Sequence, residues 1–254
     1  MREFKDLQKI LSYTRRAVED YNMISEGDNI AVGVSGGKDS MTLICAMKGL
    51  QRFYPKKFGL KAITLDLKTP GGSIDHIRKL CEEIEVELIV VPTDIYQVVF
   101  EIRKEKNPCS LCAKMRRGAL HEAALANGCN KVALGHHFDD AVETLMMNLF
   151  NEGRIGCFSP VTYLDRRDIT LIRPFIYLPE KMTSRFVRRE NIIIPPKSCK
   201  ADGFTDRARI KQLLADLEKD DKGLKTRIFG AMERGNISGF HENAGKPITG
   251  EIDE

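Results

Sequence analysis

Residues 30–41 read Ile30-Ala31-Val32-Gly33-Val34-Ser35-Gly36-Gly37-Lys38-Asp39-Ser40-Met41, and this stretch decides the fold. A short apolar run precedes a glycine turn, and Met41 to Met47 then carries an apolar helical segment. The reading is a buried strand, a tight turn and a helix. The glycines let backbone N–H groups crowd around an anion with no Cβ in the way. The helix start adds free N–H groups and partial positive charge. Lys38 brings a mobile cation, and Ser35 and Ser40 bring hydroxyl donors. Ser35, Gly36, Gly37, Lys38, Asp39 and Ser40 are therefore the candidate phosphate cradle.

The cradle is not a Walker loop, which needs four residues between its first glycine and Gly-Lys, then Ser or Thr. Here Gly33 stands too close and Asp39 follows the lysine. The G-x-G spacing of a dinucleotide fingerprint is absent as well.

Working outward, the pattern alternates strand and helix. Strands are expected at 30–34, 58–67, 86–91, 131–135 and 169–174. Helices are expected at 4–21, 38–53, from Ser73 or Asp75 through Ile84, and at 94–104, 109–127, 139–150 and 180–190. This implies an α/β fold, a doubly wound parallel sheet with helices on both faces. Ligands in such sheets sit at the carboxyl ends of the strands, where the strand order switches. Residues 1–27 read as a leading helix, 28–196 as the main domain and 197–235 as a small helical extension. The Gly-rich polar stretch 236–254 reads as a mobile tail.

The 254 residues carry 40 Lys+Arg against 36 Asp+Glu, a net charge of only +4. There is thus no strongly basic tail, although basic pairs such as Arg116-Arg117 recur. No apolar run is long enough to span a bilayer, and Met1 to Asp6 has no signal-peptide core. The expected location is cytoplasmic. In that reducing setting the seven cysteines are not expected to form structural disulfides. Cys45, Cys81 and Cys129 fall in apolar patterns and read as core; Cys157 is ambiguous.

A second cluster stands at a strand end, Gly135-His136-His137-Phe138-Asp139-Asp140-Ala141-Val142-Glu143-Thr144. Asp139 and Glu143 share a helix face. Carboxylates beside a phosphate site suit Mg²⁺, with Asp39 and Asp139 as candidates. The alternative is helix capping by Asp139, with Asp140 and Glu143 favouring the dipole.

Asn107-Pro108-Cys109-Ser110-Leu111-Cys112 sets a C-x-x-C at a helix start. A dithiol redox pair, half of a zinc site and an iron–sulfur site all fit the two thiols. Cys199, in Pro195-Pro196-Lys197-Ser198-Cys199, is the downstream cysteine in a loop-like setting. Three cysteines leave one iron of a four-iron cluster open to an exogenous ligand.

These motifs in this order, with Lys114-Met115-Arg116-Arg117-Gly118 and Ile172-Arg173-Pro174 between them, resemble the tRNA 2-thiocytidine synthetase family of the PP-loop ATP pyrophosphatases. The S-G-G-x-D-S string is the PP-loop, and the resemblance covers roughly residues 4–230. It implies ATP-dependent sulfur transfer to a tRNA cytidine through an adenylated intermediate. It implies a [4Fe-4S] cluster on Cys109, Cys112 and Cys199, and Lys38 and Asp39 acting on the phosphates. Asp66, Gly135, Asp139 and Asp140 would complete the nucleotide site. The partners implied are tRNA, a sulfur donor (a cysteine desulfurase or free sulfide) and a second copy in a homodimer. Two other readings stay open: a PP-loop enzyme that delivers ammonia or an amine, and a non-catalytic ATP-binding iron–sulfur sensor. Position 202 is Asp202, where the family often carries a further cysteine, and Phe138 replaces an expected arginine.

Overall fold

A computed structural model describes residues 2–103, 108–196 and 206–241. Cys199 and residues 242–254 lie outside the described residues. Six strands form one sheet: β1 (Asn29–Gly33), β2 (Gly59–Asp66), β3 (Glu87–Pro92), β4 (Lys131–Ala133), β5 (Val161–Leu164) and β6 (Ile169–Ile172). Their order is β3-β2-β1-β4-β6-β5. All pairs are parallel except β5 with β6. The chain leaves β1 toward β2 and β3, then returns to place β4 on β1's other side. The switch point lies between β1 and β4.

The helices are α1 (Leu7–Asp20), α2 (Lys38–Gln51), α3 (Asp75–Glu83), α4 (Pro108–Ala126), α5 (Phe138–Glu152), α6 (Glu180–Arg189), α7 (Asp206–Asp220) and α8 (Leu224–Arg234). The central strands are apolar on both sides because both sheet faces are covered. Ile30, Val32, Ala62, Ala133 and Ile172 face a large core shared with α1, α2, α3, α5 and α6. Ala31, Ile63, Val132 and Leu171 face a smaller core with Ala123 and Ala124 of α4.

Three features differ from the sequence expectations. β5, an antiparallel edge strand, falls in a stretch that reads as irregular. It is four residues long and only half-buried, so it lacks the continuous apolar run that marks the central strands. The helix expected from Asp94 is π-type over Gln97–Arg103. The stretch expected to be a mobile tail begins with packed residues: Phe240 is fully buried, and its ring meets Phe229 edge-on at 5.4 Å. The extension also shares the main core, through Ile210, Leu214, Phe229 and Met232.

No described helix is long and apolar enough to cross a membrane.

Candidate active site

The phosphate-loop candidates stand at the carboxyl end of β1, beside the switch point. Gly36 adopts φ +80, and a Cβ there would lie 2.5 Å from His76 Nε2, so position 36 needs glycine. Gly37 precedes α2, which has no side-chain cap. Its first N–H groups are therefore available to an anion. Ser40 Oγ turns inward instead. It accepts from Ser35 N–H at 3.1 Å and donates to the Gly37 carbonyl at 3.0 Å, closing the loop on itself.

Gly135 follows β4 and lies against the same helix start. A Cβ at Gly135 would sit 3.2 Å from the Asp39 carbonyl carbon and 3.3 Å from Ser40 N. The two strand-end loops thus meet backbone to backbone, as the switch point requires. Asp66 ends β2 at the same sheet edge, where its carboxylate accepts the Lys68 N–H at 2.9 Å.

His137, not Asp139, caps α5. Its Nδ1 accepts the Asp140 N–H at 3.3 Å, while Asp140 Oδ2 accepts the His137 N–H at 2.9 Å, completing a capping box. His137 Nε2 points toward Asp39 Oδ1 at 3.9 Å. Asp139 is also engaged. Its carboxylate accepts the Glu180 N–H at 2.8 Å, capping α6 from outside, and pairs with Lys225 at 2.9 Å. Asp140 pairs with Arg207 at 2.9 Å. The second cluster therefore ties α6, α7 and α8 to the sheet, and Asp39 is the Mg²⁺ candidate that stands in the phosphate loop itself.

Lys38 Nζ lies 2.8 Å from Asp39 and 3.0 Å from Glu180. Burial opposes its charge, but hydrogen bonds to these carboxylates win and raise its pKa. Glu180 also pairs with Lys211 of α7. Burial opposes the Glu180 charge as well, yet Lys211 and Lys38 hold its pKa down at about 2. Thr183 Oγ1 donates to Asp39 at 2.5 Å. Glu180, Thr183, Lys211 and Arg207 are absent from the sequence-based candidates. The visible signal for Glu180 was its place just after Pro179 at a helix start; the others carry no local signature.

Beneath the second loop, Phe158 packs with His136 (centroids 5.0 Å apart) and Arg173 (4.9 Å). Burial and the Arg173 charge push His136 down to about 4. Glu143 is buried, and burial with the Asp140 charge pushes it up to about 7.

Cys109 and Cys112 occupy the first turn of α4, exposed and half-buried respectively. Their i, i+3 spacing turns both thiols toward one side. A Cβ at Gly33, the last residue of β1, would touch Leu120 Cδ2 at 2.9 Å. At helical rise the turn bearing the two cysteines extends roughly 12–16 Å beyond Leu120, past the sheet edge that holds the phosphate loop. Cys45, Cys81 and Cys129 are buried. Burial raises their thiol pKa values, with Cys81 at about 11. Cys157 is half-buried, donates to the Ala141 carbonyl at 3.4 Å, and is pushed up to about 12 by burial. These four thiols are inert packing groups. The pair at the α4 start fits a cluster's thiolate requirement; the expected third ligand, Cys199, lies outside the described residues.

Residues 8–217 match the PP-loop domain family. The chain is 40% identical over 233 residues to the tRNA-cytidine(32) 2-sulfurtransferase of Geobacter sulfurreducens, covering 91% of this chain and 90% of that protein. It is 39% identical over 245 residues to the enzyme of the same name from Teredinibacter turnerae, covering 95% and 81%. Among solved structures, the fold resembles the U34-tRNA thiolase NcsA from Methanococcus maripaludis with its [4Fe-4S] cluster. That likeness has a TM-score of 0.74 at 23% identity, over 96% of this chain and 83% of that one. The uncapped phosphate loop at the switch point is thus the PP-loop of a chain that belongs to the tRNA-cytidine(32) 2-sulfurtransferase family.

Proposed function

We propose that this protein replaces the C2 oxygen of a tRNA cytidine with sulfur, using ATP to activate that oxygen. What supports the reading is that the PP-loop and the start of α4, with exposed Cys109 and half-buried Cys112, both lie toward the carboxyl end of the sheet. The family membership supports the substrate. The ammonia-delivering and sensor readings have no comparable support from the relatives.

The C2 oxygen is a poor leaving group. It attacks the α-phosphate of ATP; the new O–P bond forms as the bond to the β-phosphate breaks, and pyrophosphate leaves. The free N–H groups of Gly36, Gly37 and the α2 start would hold the departing pyrophosphate, and Lys38 would neutralise its growing charge. Asp39 would hold Mg²⁺, which spreads that charge further. A sulfur nucleophile then attacks C2, the C2–O bond breaks and AMP leaves. When bound to Cys109, Cys112 and Cys199, the [4Fe-4S] cluster supplies an iron site that accepts the sulfur. Its source would be free sulfide, or the persulfide of a cysteine desulfurase released as sulfide by a two-electron reductant such as a thiol. Lys114, Arg116 and Arg117 are exposed on the stretch of α4 that directly follows the cysteines and would hold the tRNA backbone. The target base has to be unpaired to enter such a site. The proposed tRNA substrate supports a cytoplasmic location for the reaction.

Anaerobic purification tests the assignment. Brown protein with about four irons per chain, as expected of a [4Fe-4S] cluster, and tRNA-stimulated release of pyrophosphate support it. Colourless protein containing zinc defeats the cluster. Cluster without pyrophosphate release favours the sensor.

A further inference from the structure

Lys38 does not point freely at the phosphate loop. Its ammonium is shared by Asp39 at 2.8 Å and Glu180 at 3.0 Å. Glu180 in turn is held between two cations, Lys38 from the loop and Lys211 from α7. The four charges sum to zero, so the arrangement is self-neutralising without a ligand. A triphosphate entering the loop breaks this balance. It competes with Glu180 for Lys38, and its negative charge repels the carboxylate beside it. Glu180 keeps a partner only because Lys211 is there.

We propose that Glu180 is a positioning residue that stands in for phosphate on Lys38, and that nucleotide binding hands Glu180 wholly to Lys211, so that α7 senses the occupied loop. The inference rests on the phosphate loop binding ATP, as argued above. Its consequence is spatial. α7 begins at Asp206, seven residues after Cys199 in the chain, so the element that follows the third cysteine is the one tied to the nucleotide. The contact is built, not incidental. Thr183 and the Glu180 N–H anchor the start of α6 to Asp39 and Asp139, which fixes Glu180 opposite Lys38. The Glu180 side chain is 23% exposed and that of Lys38 27%, shielded enough for the pairing to persist in salt.

The relay is tested by calorimetry with ATP on the full chain and three variants. Glu180→Gln removes the competitor and is expected to tighten ATP by about 3- to 5-fold, the scale of one partly exposed ion pair. Lys211→Met removes Glu180's fallback partner and is expected to weaken ATP by a similar factor. On the Glu180→Gln background, Lys211→Met has no effect, because the two act through one carboxylate. Hydrogen exchange supplies a second readout. ATP slows amide exchange across Asp206–Asp220 in the parent and not in Glu180→Gln. Unchanged or weaker ATP binding by Glu180→Gln, or additive effects in the double variant, overturn the relay. Lys211 is half-exposed, so Lys211→Met tests the idea even if Glu180→Gln fails to fold; unaltered ATP affinity in it overturns the proposal. Failure of the parent to bind ATP defeats the functional reading along with the relay.

Discussion

Glu143 is buried, with one carboxylate oxygen unpartnered among the described residues and the other 3.5 Å from Arg207. Its pKa rises from 4.5 to about 7. Between those values the folded state binds more protons than the unfolded chain, so stability falls as pH rises, and the cost is complete above about 7. Glu143→Gln cannot ionise. Relative to the parent it gains stability between pH 5 and pH 8, which urea midpoints at the two pH values will show; an equal offset at both contradicts the burial argument. The cysteines separate by exposure in the same way. Cys109→Ala removes an exposed side chain and is expected to change folding stability by less than about 0.5 kcal/mol while abolishing thiolation. Thermal melts beside an activity assay check both halves. The phosphate-loop residues and the C-x-x-C were legible in the sequence because each group is contiguous. Glu180, Thr183, Lys211 and Arg207 were not. Glu180, Thr183 and Arg207 reach Lys38, Asp39 and Asp140 from positions 67 to 144 residues away, and Lys211 enters only through Glu180, separations no local pattern encodes.

The strand–turn–helix of β1 and α2 was readable because one glycine must take a positive φ and the flanking segments are apolar throughout. Gly36 and Gly135 make this testable. Gly36→Ala brings a Cβ against His76 in a backbone conformation that disfavours it, costing about 1–3 kcal/mol and the loop's shape. Gly135→Ala presses on the α2 backbone at Asp39 and Ser40. It is expected to weaken ATP binding by about tenfold, or ~1.4 kcal/mol, with the fold retained. Equilibrium binding together with circular dichroism distinguishes the two outcomes; unchanged affinity in Gly135→Ala means the two loops do not cooperate. The expected strands 30–34, 58–67, 86–91, 131–135 and 169–174 each correspond to an observed one, because each run is rich in aliphatic residues and bounded by turn signals. β5 escaped because its run, Val161-Thr162-Tyr163-Leu164, is short and mixes polar with apolar residues. Its four residues pair with β6 from Val161 opposite Ile172 to Leu164 opposite Ile169. Capping of α5 by Asp139 was the alternative reading, since aspartate is a common capping residue; the preceding His137 takes that role, and Asp139 caps α6.

The described residues close around two cores, and the C-terminal helices belong to the larger. Phe229 of α8 touches the rings of Phe138, Tyr177 and Phe240, and is itself buried. Phe229→Ala is expected to cost about 3–5 kcal/mol, seen as a lower midpoint of a single unfolding transition. A separate early transition for α7 and α8, with the sheet still intact, contradicts a shared core. The doubly wound plan was readable from the alternation of strands and helices. The integration of the extension was not, since its apolar residues fit equally well a helix pair docked elsewhere. Lys38–Glu180–Lys211, Asp139–Lys225 and Asp140–Arg207 join that extension to the two strand-end loops, so the site draws on residues from Lys38 to Lys225. The central claim is that this site activates a tRNA base oxygen and exchanges it for sulfur. Anaerobically reconstituted protein, given tRNA lacking the modification, sulfide and ATP, should form 2-thiocytidine by nucleoside mass spectrometry, with one AMP and one pyrophosphate released per base. Omission of ATP or the substitution Cys109→Ala should abolish it. Formation of 2-thiocytidine without ATP, or none from the complete mixture containing loaded cluster, contradicts the account.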